Sequence, residues 1–400
     1  MKTIQELYKA TIKTNLEESV HVDLPRARHP VSIQLYEKPE TPKETHTPCA
    51  PPFQVDFVFT WVNGSNPELR TNFTKYTNAT LEQNRYVDIG QLKYALRGIE
   101  ANAPWFNHIY IVTNGEKPAW LASNPKISIV SHWDIFRYKS ALPVFNSNAI
   151  EMNLHRISHL TDNFIYCNDD FTLTQPVCWS DFYTEQEGTK IYYMKNWGKI
   201  GHPEFCREEC RYWLYADGIC QPKCNVVQCR WDGGDCEQHN MKSTRKSAQY
   251  GHAIDFTNVV VSEAFGKRNR YYPAHVPLLI HKRKFDHVEK MFINEVNQTS
   301  FHRVRAISDL QTQFLYVNTL SEKFEEKTEW IDAANFMHFI PASNDLGDTM
   351  RMFKALNDNP RKMVCINDNL NYEQENATLV VQLIQAFYET TFPNKSSLEI

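Results

Sequence analysis

The sequence predicts an α/β fold: a Rossmann-like, largely parallel sheet flanked by helices and interrupted by a small cysteine-rich insert. Three observations carry this. Short apolar runs rich in β-branched and aromatic residues alternate with segments of helical period. Four of these runs, at 55–62, 108–113, 164–167 and 363–366, end in a cluster of Asn, Asp or Gly. The alternation stops between Cys206 and Cys236, where six of the ten cysteines lie.

Residues 1–50 hold the Pro-rich, charged stretches DLPRARHP and EKPETPKETHTP and read as an extended arm or linker. Order begins at the strand-like run 55–62, ended by Asn63-Gly64-Ser65. Ile89, Leu92, Leu96 and Ile99 recur at helical spacing, closed by Pro104. His108 to Thr113 is a second strand, followed by Asn114-Gly115, and Ile127 to Val130 is a short third. Ile150, Leu154 and Ile157 mark a helix that Asn146, Ser147 or Asn148 could cap. Phe164 to Cys167 is a fourth strand and runs directly into Asn168-Asp169-Asp170. After the insert, helices are expected around 252–265, 283–296 and 304–320. A strand over Met363 to Ile366 then meets Asn367-Asp368-Asn369, with a helix from about 374 to 390. The expected division is an arm (1–50), a first α/β part (51–200), the insert (201–240) and a second α/β part (250–400).

In a parallel sheet, ligands bind beyond the carboxyl ends of the strands. Here those ends read WVNGS, VTNG and CNDD, and all would fall along one edge. Adjacent carboxylates at a strand end repel unless a cation lies between them, so Asp169 and Asp170 are candidate metal ligands. The competing reading is a plain turn. Asn367 and Asp368 repeat the pattern and are further candidates, against a helix-start cap.

A net charge of −4 argues against a general polyanion binder and so against nucleic acid. No run of apolar residues is long enough to cross a membrane, and the first residues lack the apolar core of a signal peptide. The dense, even cysteine cluster indicates an oxidising compartment. Together these predict a lumenal protein whose targeting and anchoring segments lie outside this chain. Sequons at Asn63, Asn72, Asn78, Asn297, Asn376 and Asn394 agree.

The insert, CREECRYWLYADGICQPKCNVVQCRWDGGDC, is too small for a core of its own, so disulfides and a cation must hold it. Zinc would use close Cys pairs with few carboxylates. The presence of Asp217, Asn225, Asp232 and Asp235, hard oxygen donors, favours Ca²⁺. The spacing and the WDGGDC ending resemble the Lin-12/Notch repeat. That resemblance implies the pairs Cys206–Cys229, Cys210–Cys224 and Cys220–Cys236 around one Ca²⁺, in an interaction module.

With VDFVFTWVNGS, LKYALRGIEANAPWFNHIYIVTNG, PVFNSNAIEMNLHRI, FIYCNDDF, PAHVP, SFHRVR and KMVCINDN in hand, the chain resembles the Stealth family from about residue 53 to 400. The resemblance implies a GT-A-like version of the sheet, and transfer of GlcNAc-1-phosphate from UDP-GlcNAc to a mannose 6-hydroxyl on high-mannose N-glycans of glycoproteins. UMP would leave, and Mg²⁺ or Mn²⁺ would be required. It also implies a Golgi lumenal setting, membrane anchorage in the full-length protein, a homodimer and an accessory subunit. Its functional positions fall on Asp56, on Asp169 and Asp170, on His275 and on Arg305. The chain shows no EF-hand-like segment between 320 and 345 and no long spacer, which puts recognition of protein acceptors and proteolytic splitting in question.

The residues suggest matching roles. His275, between Pro273 and Pro277, is the candidate general base, against a structural histidine. Arg305 would hold phosphoryl oxygens with its planar fork, against a solvated surface arginine. Asp56 is an alternative base or orienting group, against a buried carboxylate held by an arginine. Arg97, Asn63, Gly64, Asn114, Gly115, Asn146 and Ser147 are candidates for nucleotide or sugar binding, against turns and caps. Trp61 would stack on a sugar or base, against a core tryptophan. Cys167 and Cys178 could pair. Two other functions compete: a metal-dependent glycosyltransferase using UDP-GlcNAc, and a catalytically inactive lumenal binding protein.

Overall fold

The computed structural model describes residues 20–22, 31–33, 49–77, 86–200, 210, 214, 219–226, 229, 232, 235–236, 245–324 and 327–400. In chain order these form β1 (Val20–Val22), β2 (Val31–Ile33), β3 (Asp56–Thr60), α1 (Pro67–Thr77), α2 (Gln91–Asn102), β4 (Ile109–Thr113), β5 (Ile127–Ser131), α3 (His132–Ile135), α4 (Ser147–Glu151), β6 (Asn163–Asn168) and β7 (Phe171–Leu173). There follow β8 (Tyr183–Thr184), β9 (Gly188–Tyr193), β10 (Lys199–Ile200), α5 (Arg245–Phe265), β11 (Arg270–Tyr271), β12 (Leu278–His281), α6 (Lys282–Met291), α7 (Ile293–Phe301) and α8 (Thr312–Lys323). The last elements are β13 (Thr328–Asp332), β14 (Met337–Ala342), α9 (Leu346–Asp358), β15 (Met363–Asp368) and α10 (Ala377–Thr391).

The central sheet has the order β12-β6-β3-β4-β5. All neighbours are parallel except β12, which runs antiparallel to β6. Successive side chains on a strand point to opposite faces, and here both faces are dry. Phe57, Phe59, Ile109, Ile111, Ile165 and Cys167 pack with Leu92, Leu96 and Ile99 of α2 on one side. Val58, Tyr110, Val112, Phe164 and Tyr166 pack with residues of α5, α6 and α8 on the other. Burial of both faces is why these strands read as continuous apolar runs. A second sheet, β14-β15-β7, pairs β14 and β15 in parallel and β15 and β7 antiparallel. Residues far apart in sequence thus meet in both sheets. Gly98 lets α2 cross β7 closely, since a Cβ there would stand 2.8 Å from the Leu173 carbonyl oxygen.

The α/β sheet with flanking helices is the fold expected. Four local expectations change. The helix marked by Ile150, Leu154 and Ile157 ends at Glu151 and is followed by a 3₁₀ turn over Leu154–Arg156. The helix expected over 304–320 starts only at Thr312. The preceding residues are held as a loop around the buried Asp309, which accepts from the Asn146 side chain and the Ala306 backbone and pairs with His302. The helix expected over 283–296 breaks at Phe292 into α6 and α7. Cys167 is a buried free thiol on the inner face of β6, and Cys178 pairs instead with Cys49. This bond fastens the start of the body, at the end of the expected arm, to the loop after β7.

In the insert, Cys210–Cys224 and Cys220–Cys236 are disulfides as the resemblance implied. Cys229 is disulfide-bonded too, while Cys206 and Asp217 lie outside the described residues. Asp232 is buried and its carboxylate accepts the Gln221 N–H at 2.7 Å. Most of residues 1–48 also lie outside the described residues, as does Asn78.

Candidate active site

The carboxyl ends of β3, β4, β6 and β15 open on one cavity of about 1900 Å³. Its lining includes Trp61, Asn114, Gly115, Ser147, Asn168, Asp169, Asp170, His275, Arg305, Asn367 and Asp368. Register explains the convergence: Thr60 pairs with Asn168 across β3 and β6, and Ala342 with Asp368 across β14 and β15. The two Asn-Asp motifs end neighbouring sheets, and the Ile366 N–H reaches the Asp170 carbonyl at 3.3 Å.

Asp169 and Asp170 occupy the reversal between β6 and β7. Burial pushes the Asp169 carboxyl well above the usual range, and the charges of Asp170 and Asp88 push it further. Asp170 is raised by burial, partly offset by His275 and Cys365. One oxygen of Asp170, Oδ1, is buried and has no protein partner. Two desolvated carboxylates, one with an orphaned oxygen, are hard donors that a divalent cation would fit, and Asp170 also lies close enough to His275 and Cys365 to share an ion with them. Asp368 is more fully satisfied. It accepts the Leu370 N–H at 2.9 Å and the Tyr372 hydroxyl, so it stiffens the turn after β15. It does not cap α10, which starts at Ala377.

His275 is carried by an irregular loop whose neighbour Ala274 is pinned on two sides. The Ala274 N–H donates to the Tyr192 carbonyl at 2.8 Å, and its own carbonyl accepts from Gln313 at 2.8 Å. Around the imidazole, Asn168 Nδ2 lies 2.9 Å from Nε2, and Cys365 Sγ lies 3.4 Å from Nδ1. Asp170 Oδ2 is 4.0 Å from Nδ1. The Phe171 ring meets His275 edge-on at 4.5 Å. Burial lowers its pKa, Asp170 opposes this and Arg305 adds to it, which leaves the ring neutral and able to accept a proton. Cys365 also reaches Asp170 Oδ2 at 3.4 Å, and burial keeps its thiol protonated.

Arg305 enters from the loop anchored by Asp309 and donates to Ser147 Oγ at 2.7 Å. Ser147 opens α4, whose cap is Asn146: its side-chain oxygen accepts the Asn148 N–H at 3.1 Å. Glu151, at the end of α4, is pushed up to about 7 by burial, with the Arg305 charge pulling it down.

Several expected site residues stand elsewhere. Asp56 is at the amino end of β3, opposite the cavity. It is fully buried, and among the described residues no arginine holds it. It accepts the Asn107 amide at 2.7 Å and the Thr161 N–H at 2.9 Å. Arg97 is on α2 and is tied to Glu399 and the Phe392 carbonyl, which clamps the chain terminus to the core. Asn63 and Gly64 form a turn pressed against Tyr86, where a Cβ on Gly64 would meet the Tyr86 carbonyl oxygen at 1.3 Å. Asn146 is fully buried behind Ser147. Trp61 faces the cavity but is largely buried, its indole N–H donating to Asp88 at 3.1 Å. Asn168, Cys365 and Glu151 were missed as site residues. Asn168 carried a signal, since Asn precedes Asp in both strand-end motifs. Glu151 and Cys365 carried none.

The chain matches Stealth protein CR1, conserved region 1, over 53–80, CR2 over 85–191, CR3 over 274–318 and CR4 over 354–400. An LNR domain matches over 203–237. Human N-acetylglucosamine-1-phosphotransferase subunits alpha/beta is 44% identical over 39% of this chain, and the match spans 12% of the human protein. Exopolysaccharide phosphotransferase cps2G of Lactiplantibacillus plantarum is 27% identical over 87% of this chain and 97% of its own length. Capsular polysaccharide phosphotransferase SacB of Neisseria meningitidis serogroup A is 29% identical over 87% of this chain and 57% of its own. Among solved structures, galactosyltransferase LgtC covers 86% of this chain and 98% of its own at 10% identity, with a TM-score of 0.39, too low to bear on activity. Every cavity residue named from β6 to β15 falls inside one of the matched regions. The chain therefore carries the four Stealth conserved regions in order, with an LNR domain between the second and the third.

Proposed function

We propose that this chain is a phosphosugar transferase that moves GlcNAc-1-phosphate from UDP-GlcNAc to the 6-hydroxyl of mannose on a high-mannose N-glycan, releasing UMP. The observation that carries the reading is the meeting of Asp169, Asp170, His275 and Arg305 on one cavity. Relatives named as sugar phosphotransferases, over part of the chain in human and nearly all of it in bacteria, support the reaction class. The mannose acceptor follows the resemblance read from the sequence; a capsular-type glycan is the alternative that the bacterial relatives support.

Phosphoryl transfer depends on positioning and charge more than on covalent help from the protein. Asp169 and Asp170 would hold Mg²⁺ or Mn²⁺, which supplies charge against the diphosphate. Arg305, oriented by Ser147, holds phosphoryl oxygens. His275 takes the proton of the attacking hydroxyl on its unprotonated ring nitrogen, its plane fixed by Asn168, Cys365 and Phe171. In the insert, Asn225, Asp232 and Asp235 together with Asp217 are proposed to hold Ca²⁺. The disulfides support an oxidising compartment such as the secretory lumen. A homodimer and an accessory subunit remain part of the proposal.

Incubating the protein with UDP-GlcNAc, a mannoside and Mg²⁺ should release UMP. UDP as the nucleotide product would overturn the reading in favour of simple glycosyl transfer. EDTA should abolish turnover, and Mg²⁺ or Mn²⁺ should restore it. Full activity in metal-free buffer would contradict the assigned ligands.

A further inference from the structure

Among the described residues, eight large apolar side chains stand exposed, and five of them belong to the segments at one side of the cavity mouth. These are Tyr76, Trp133, Tyr138, Phe301 and Val304. Tyr76 ends α1, whose Leu69, Asn72 and Thr74 line the cavity. Trp133 lies in α3 and Tyr138 follows it, leading into Lys139 to Phe145, much of which also lines the cavity. Phe301 and Val304 precede Arg305.

These segments are fastened together. The Arg303 guanidinium lies 4.9 Å from the centre of the Tyr76 ring. It also donates to the carbonyls of Ser140 at 3.2 Å and Pro143 at 3.1 Å. The Phe145 N–H donates to the Arg303 carbonyl at 2.7 Å. The rings of Tyr138 and Phe301 stack with centres 5.4 Å apart and planes 28° from parallel. The Lys139 ammonium is 5.5 Å from the Trp133 ring. The loop that delivers Arg305 to the cavity thus also builds its rim.

Exposed apolar clusters on a soluble surface mark contact sites, and aromatic rings offer broad faces at low entropic cost. Trp133 is 60% exposed and Phe301, though stacked on Tyr138, 46%, so both rings leave surface for a ligand. A pyranose fits this surface: its C–H face is apolar, its rim of hydroxyls is polar, and ring faces here are interleaved with Lys139 and Arg303. The rim also leads into the cavity that must receive the acceptor. We propose that Trp133, Tyr138 and Phe301 form an acceptor subsite for an oligosaccharide, stacking on pyranose units beyond the one whose hydroxyl reacts. The proposal rests on the transferase reading for the acceptor being a glycan.

The test is a binding titration of a high-mannose oligosaccharide, followed by calorimetry without donor, on wild type, Tyr138→Ala/Phe301→Ala and the ring-preserving Tyr138→Phe. The double variant should weaken binding by about tenfold or more, and Tyr138→Phe should bind as wild type does. In transfer assays the double variant should raise KM for the oligosaccharide while leaving transfer to methyl α-mannoside and KM for the donor unchanged. Unaltered oligosaccharide binding by the double variant overturns the subsite, and so does an equal loss on both acceptors. Glycan binding that depends on these rings, in a wild-type protein that transfers nothing, would keep the subsite and sink the transferase reading.

Discussion

Two groups of buried carboxylates in this molecule have opposite fates. Glu289, on α6, sits among His155 at 2.8 Å, Arg137 at 3.2 Å and Arg156. Burial alone would raise its pKa, but the three basic neighbours outweigh that and hold it below the usual range. The surroundings of Asp169 and Asp170 do not answer their charge: Asp88 adds to the repulsion at Asp169, the His275 ring and the Cys365 thiol only partly offset the burial of Asp170, and both are raised. The same chemical group is a fastener where its charge is answered and a candidate cation ligand where it is not. Fasteners contribute to folding, whereas unanswered charges oppose it and are retained for binding.

The largest effect that would sharpen this contrast is on catalysis. Asp170→Asn should lower kcat by about 10³-fold or more, a loss on the order of 4 kcal/mol, while its unfolding midpoint stays at or above that of wild type. Steady-state kinetics and thermal melts on the same sample check this, and wild-type turnover would break the comparison from the catalytic side. Next, Glu289→Ala should lose about 3–5 kcal/mol of stability in urea titrations, because it strands Arg156 and His155 in the interior. Turnover per folded molecule should not change.

Glu151 tests an intermediate case, buried and only partly answered by Arg305. Its carboxyl moves from 4.5 to about 7, so the folded state binds the proton more tightly than the unfolded state. That contribution is complete below about pH 4.5 and is lost as pH rises toward 7. Glu151→Gln should therefore flatten the stability profile between those values and gain ~3 kcal/mol over wild type at pH 8. A parallel profile in denaturant melts across that range would refute the assignment. The smallest effect concerns Asp169→Asn, which removes one of two repelling charges and should raise stability in EDTA by about 1 kcal/mol. Destabilisation there would mean that Asp169 is satisfied within the protein after all.

The fold was legible because its signals are local. The runs 55–62, 108–113 and 164–167 are apolar on both faces, as strands covered on both sides must be. Loops were less legible: the 302–311 segment has helical spacing, yet buried Asp309 organises it as a turn, and that burial is a tertiary fact. Of the candidate site, the strand-end acids, His275 and Arg305 line one cavity. Arg97 and Asn146 do not, because what distinguishes a ligand-binding polar group from a structural one is its partner, and Glu399 and Asp309 are remote in sequence. Asp56 shows the same point by position: strand direction places it at the wrong edge.

By itself the sequence determined the alternation of strand and helix, the cysteine-rich insert and the acidic strand ends, since periodicity and residue type act within a few positions along the chain. Tertiary structure decided which carboxylates are answered, that Cys49 rather than Cys167 joins Cys178, and that Asn168, Cys365 and Glu151 border the reactive groups. These outcomes depend on distance and burial between segments up to hundreds of residues apart, and no local pattern encodes them.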